Sequence, residues 1–76
     1  MTQLTNIIQV TDSKCIKAMS YNPATNTLFL KFNDSPFYAY ENVKSEVFTL
    51  FVNHPKKGQF YHQIKNSLGE PKRLDN

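Results

Sequence analysis

The chain predicts an α+β fold: a three-stranded antiparallel β-meander followed by two short α-helices packed on one sheet face. Three observations carry that expectation. Between Cys15 and Tyr40, apolar and aromatic side chains alternate with a period of two, interrupted twice by turn-forming residues. From Val43 onward the apolar spacing changes to threes and fours, the period of a helix. With 76 residues there is material for one hydrophobic core and no second.

The elements follow in order. Residues 1–12 are either a flexible lead-in or a short extra N-terminal strand, since Ile7, Ile8 and Val10 stand among Thr and Asn. The first clear strand begins at Cys15 and runs through Ile16, Ala18 and Met19 to Tyr21. Asn22-Pro23-Ala24-Thr25-Asn26 then has turn chemistry: proline fixes φ, and asparagine tolerates left-handed geometry. Thr27 to Phe32 forms the second strand, with Leu28, Leu30 and Phe32 on one face and Phe29 and Lys31 on the other. A second turn, Asn33-Asp34-Ser35-Pro36, leads to Phe37-Tyr38-Ala39-Tyr40, where the two tyrosines share a face. Three strands are about the minimum for a stable sheet.

Val43, Val47, Leu50 and Phe51 predict the first helix, with Asn42 as a candidate cap and Glu46 near its positive dipole end. His54-Pro55 stops it, because proline disfavours helical geometry at the residue before it. Phe60, Tyr61, Ile64 and Leu68 predict a second helix, ended by Gly69 and Pro71. Residues 69–76 are expected to be a frayed polar tail.

Composition narrows the function classes. The six Phe and four Tyr, with no Trp, are an economical way to fill a small core and also supply recognition chemistry. A net charge of +3 permits an acidic partner without requiring one. The single cysteine, Cys15, fits a reducing compartment better than a disulfide scaffold. No basic start precedes an apolar run, and no apolar stretch approaches the length of a membrane span, so a cytoplasmic protein is expected.

From Ser13 to Lys65 the chain resembles the KTSC domain, a short module named for its place at the C-terminal end of some lysyl-tRNA synthetases. That module also stands alone in small bacterial and phage-type proteins. The resemblance begins with the spacing of Ser13, Ile16, Met19 and Tyr21 and continues through Leu28-Phe29-Leu30-Lys31-Phe32. Its best-marked feature is Tyr38-Ala39-Tyr40, and it closes on Gly58-Gln59-Phe60-Tyr61-His62-Gln63-Ile64. The chain departs from the family in the Asn33-Asp34-Ser35-Pro36 turn, where a glycine is usual. It departs again at Val43-Lys44 for the family's Val-Pro, and at His54 and Lys56, where the family has a small residue and a serine. The resemblance implies a KTSC-like domain over residues 13–68. Its association with a tRNA enzyme implies an RNA-binding role.

The residues themselves point to binding rather than catalysis. If the strand face of Tyr38 and Tyr40 is open, those rings with Phe29 or Lys31 could stack on bases, each stack contributing about 1–3 kcal/mol. Alternating tyrosines are equally the pattern of a half-buried strand. Lys56-Lys57-Gly58 stands where the second helix begins, and a helix start flanked by lysines attracts phosphate; Lys65, Lys72 and Arg73 could widen the patch. The same lysines also suit a solvated loop. His54, His62 and Cys15 match no zinc spacing, and Cys15 is expected to be a small buried hydrophobe. No catalytic residue, metal or cofactor is assigned. Two functions remain: a module for RNA or a nucleotide-like anion, and a protein-interaction module or phage-type inhibitor that sequesters a host protein or a signalling nucleotide. Self-association is compatible with either.

Overall fold

A computed structural model of the protein describes residues 7–11 and 13–74. Among the described residues there are seven elements: β1 (Ile8–Gln9), β2 (Ile16–Asn22), β3 (Thr27–Phe32), β4 (Phe37–Tyr40), α1 (Ser45–Asn53), α2 (Lys57–Ile64) and β5 (Lys72–Arg73). The strands form one antiparallel sheet in the order β1-β2-β3-β4-β5. The three central strands and both helices stand where the hydrophobic periods predict them. The sheet also gains a strand at each edge. Ile8 and Gln9 realise the optional N-terminal strand. Lys72 and Arg73, expected in a frayed tail, instead pair with Ala39 and Tyr38. Their side chains are exposed, so this pairing rests on backbone hydrogen bonding that no hydrophobic pattern announces.

Turn chemistry sets the meander. Asn22 accepts the Ala24 N–H through its side-chain oxygen at 3.0 Å, and Asn26 takes the positive φ of 54° that closes the β2–β3 hairpin. Asn33, with φ 42°, opens the next turn, where the Ser35 hydroxyl accepts the Phe32 N–H at 3.1 Å. A bulge at Lys17 breaks the β2–β3 register between Ile16 and Ala18.

Cross-strand partners share a face. Ile8, Met19, Leu30 and Tyr38 therefore stand on the same side as Tyr21, Leu28 and Tyr40, and both helices pack there with Phe51, Phe48, Phe60 and Tyr61. Each fully buried aliphatic such as Leu28, Leu30 or Met19 contributes about 1.5–3 kcal/mol. A register slip of one residue would turn all of them outward, so the core also fixes the register. The other face carries Ala18, Ser20, Phe29 and Ala39, all buried, with Lys31 and Phe37 beside them.

The first helix starts later than its apolar stripe. Val43 is buried just ahead of it, and Lys44 occupies the cap position without a side-chain cap hydrogen bond. Asn42, the expected cap, instead takes a left-handed φ of 60° in the loop. A buried strut holds the loop ahead of the helix: the Tyr21 hydroxyl donates to the Val43 carbonyl at 2.5 Å and ties it to β2. His54 ends the helix as proline requires. Leu50, expected in the stripe, is 59% exposed, because a nine-residue helix anchored by Phe51 and Phe48 turns that position to solvent.

Candidate functional site

The eight residues expected to bind a ligand are divided by the structure among four places. Tyr38 and Tyr40 face the helices. Tyr40 is only 4% exposed, with its ring in the core, while Tyr38 is half-buried. Phe29 and Lys31 pair with Ala39 and Phe37, which puts them on the opposite side of the sheet, and Phe29 is 2% exposed. An open strand face combining all four is therefore not formed.

Lys56, Lys57 and Gly58 do begin the second helix, but they build the elbow between the helices. The Lys57 ammonium donates to the His54 carbonyl at 3.1 Å, and the Lys56 N–H donates to His54 Nδ1 at 3.0 Å. Nδ1 thus serves as the acceptor in this elbow. The His54 ring stacks on Phe60 with centroids 5.0 Å apart, and Phe60 meets Phe51 edge-on at 5.1 Å. At Gly58 an added Cβ would lie 3.7 Å from the Ser13 hydroxyl, an ordinary contact, so no close approach demands glycine there. Lys65 stands at the other end of α2.

What the fold does bring together is a half-exposed aromatic ridge along one flank of α2. Phe32 is its middle: the Tyr61 ring packs on it at 5.0 Å and the Tyr38 ring at 6.2 Å, both tilted. The Tyr61 hydroxyl also meets that of Tyr40 at 3.3 Å. Two cations flank the ridge. Arg73 stands directly across from Tyr38 in the β4–β5 pair, and Lys65 follows Tyr61 by one helical turn. Exposed His62 lies edge-on to Tyr61 at 5.8 Å.

The electrostatics suit recognition. The Tyr40 phenol is held well above its ordinary value of 10.0, first by burial and then by its Tyr61 partner. It stays protonated at neutral pH and serves as a hydrogen-bond group rather than a base. Cys15 is exposed rather than buried, correcting its expected role as a core hydrophobe. Its N–H donates to the Ser13 hydroxyl at 3.3 Å, and its carbonyl accepts the Asn33 N–H at 3.0 Å. Among the described residues no three of His, Cys, Asp and Glu converge in a way that could hold a metal ion. None of the described helices is long and apolar enough to cross a membrane.

Tyr61 enters the sequence reading only through the spacing of the second helix and not as a binding candidate; it is half-buried, and the Tyr61–Lys65 spacing is the available signal. Arg73 is expected there only to widen the patch at the helix start, and its place across from Tyr38 depends on β5 pairing.

Comparison with known proteins agrees with this architecture. The model of the KTSC domain matches residues 12–67, most of the chain. The chain belongs to the KTSC domain family. A lysine–tRNA ligase from Nostoc sp. is 42% identical over 49 residues, covering 64% of this chain and 9% of that enzyme. This KTSC chain therefore spans about a tenth of that relative's length. The crystal structure of a KTSC domain protein from Yersinia pestis shares the fold with a TM-score of 0.83 at 22% identity, covering 92% of this chain and 97% of that one. In this KTSC fold the Tyr38-Ala39-Tyr40 motif turns both rings to the helix-bearing face, with Tyr40 buried against Tyr61 of α2 and Tyr38 half-buried beside Phe32, and the Gly58–Ile64 segment lies within α2.

Proposed function

We propose that this KTSC domain is a non-catalytic binding module that engages a protein partner through the Phe32–Tyr38–Tyr61 ridge. One observation carries the reading: the rings of the ridge pack on one another at a tilt and are half-buried. Tyr61 packs against Phe32 and its hydroxyl reaches the buried Tyr40, so these rings are held as partly buried anchors rather than as a flat stacking platform. Base stacking needs open ring faces, whereas protein interfaces use Tyr, Phe and Arg as partly buried anchors. The proposed setting is the cytoplasm, where a single exposed thiol is stable.

The RNA or nucleotide reading keeps one specific support, the likeness to a lysine–tRNA ligase. The two separate cleanly. Native mass and thermal-shift measurements with short RNA and nucleotides at low and high salt should give no salt-sensitive complex. In parallel, a partner recovered by cross-linking through the exposed Lys65 should be lost in the Tyr38→Ala, Tyr61→Ala variant while cooperative melting persists. Salt-sensitive RNA or nucleotide binding would transfer the ridge to the second reading.

A further inference from the structure

Two hollows of opposite charge border α1. The first is a seam between the start of α1 and the end of α2, about 340 Å³ in volume. Val43, Val47, Ile64 and Leu68 give it apolar walls, and Lys44 is the single charged residue that lines it. The second, about 310 Å³, is lined by Leu50 with Ser45, Thr49 and Glu46, and there the single charge is a carboxylate. Lys44 and Glu46 are both exposed, and among the described residues neither has an ion-pair partner. None of the three rings of the ridge lines either hollow.

Leu50 leaves 59% of its surface in water on the better anchored of the two helices. Glu46 precedes it by one helical turn, so a large apolar side chain and a carboxylate stand together. That pair is the counterpart of the seam, which offers apolar walls and one ammonium. Val47 of the seam lies three residues from Leu50, so hole and knob sit side by side on one flank of α1. A twofold axis through that flank exchanges them. We infer that this flank takes a second copy of the chain. Each copy seats its Leu50 in the other's seam and sets its Glu46 against the other's Lys44. Burial of Leu50 supplies the affinity, and the two symmetry-related ion pairs, weak because exposed, fix the register. The nine residues of α1 span about 14 Å, so the contact falls short of the roughly 800 Å² per partner typical of a stable complex. Pairing is therefore reversible, and the dilute chain is a monomer.

Sedimentation velocity of the full chain, taken from micromolar to millimolar concentration, should show a monomer–dimer equilibrium. Leu50→Asp should abolish the dimer while the monomer melts as before, since the position is open to water in the single chain. Lys44→Glu and Glu46→Lys should each raise the dimer Kd at least about tenfold, because each sets like charges together twice across the axis. The double variant Lys44→Glu, Glu46→Lys restores opposite charges and should return the Kd to within about threefold of the original. Lys14→Glu, exposed and part of neither hollow, is the charge control and should change little. A chain that stays monomeric to millimolar concentration would overturn the inference. So would a dimer that survives Leu50→Asp, or one that the double charge exchange fails to recover. A dimer lost in Tyr38→Ala, Tyr61→Ala but kept in Leu50→Asp would move self-association to the ridge.

Discussion

The two helices lie on the same sheet face and are held to it very differently. Helix α1 drives Phe51 to 0% exposure, and its Phe48 ring stacks on Tyr21 at 5.1 Å, close to the strut that Tyr21 makes to Val43. Helix α2 has no fully buried residue; Phe60, Tyr61 and Ile64 are all half-covered. Its attachments include the edge-on Phe60–Phe51 contact, the tilted Tyr61–Phe32 contact, the Tyr61–Tyr40 hydroxyl pair and the His54 elbow. The lesson is a division of labour: α1 closes the core, and α2 is laid against it with its aromatic flank still available. In a chain this small, whose total stability is about 5–15 kcal/mol at most, a binding surface has to be drawn from the less buried helix.

The sharpest way to break this comparison is to truncate the anchor of each helix. Phe51→Ala should cost about 3–5 kcal/mol and leave little cooperative melting, whereas Phe60→Ala, from a half-buried site, should cost roughly 1–2 kcal/mol and keep the transition. Equal losses in thermal or urea unfolding would erase the distinction.

Next in size is Tyr21→Phe, which leaves the buried Val43 carbonyl without its donor. About 1–3 kcal/mol should be lost in urea unfolding, because an unsatisfied buried acceptor carries the full desolvation cost.

Alkaline pH sharpens the picture at the α2 contact. Unfolded tyrosine ionises near pH 10, while native Tyr40 holds its proton to higher pH because of burial and Tyr61. The native state therefore binds more protons than the unfolded state above about pH 10, and stability should fall as pH rises through that range. Burial raises Tyr21 in the same direction. Tyr40→Phe should flatten the slope measured by urea unfolding at several alkaline pH values; an unchanged slope would show that the phenol does not titrate as described.

The smallest effects concern the exposed side of each helix. Leu50→Ala should stay within about 0.5 kcal/mol despite removing a large apolar side chain, since the position is already open to water. Gly58→Ala should be neutral or stabilising by up to about 1 kcal/mol, because the new methyl meets only an ordinary contact at Ser13. A marked loss in the Gly58 variant would restore a special backbone role at the start of α2.

Most of the fold is legible in the chain because it depends on periodicity: Leu28, Leu30 and Phe32 reveal a strand as clearly as Val47 and Phe51 reveal a helix. What is not legible depends on pairing or rotation. β5 is a backbone event in a polar segment. The exposure of Leu50 follows from how a short helix turns around Phe51, and the late start of α1 follows from Val43 being used in the loop. The candidate site was harder still. Tyr38 and Tyr40 share a face as alternation demands, but alternation cannot say that α2 covers that face. Nor does it reveal that Tyr61, four residues before Lys65, completes the exposed part.

The most direct test of the division of labour is amide hydrogen exchange followed residue by residue. The account predicts that the Phe51 amide exchanges only through global unfolding, whereas Phe60 and Lys65 open more readily. Equal protection of the two helices would contradict it.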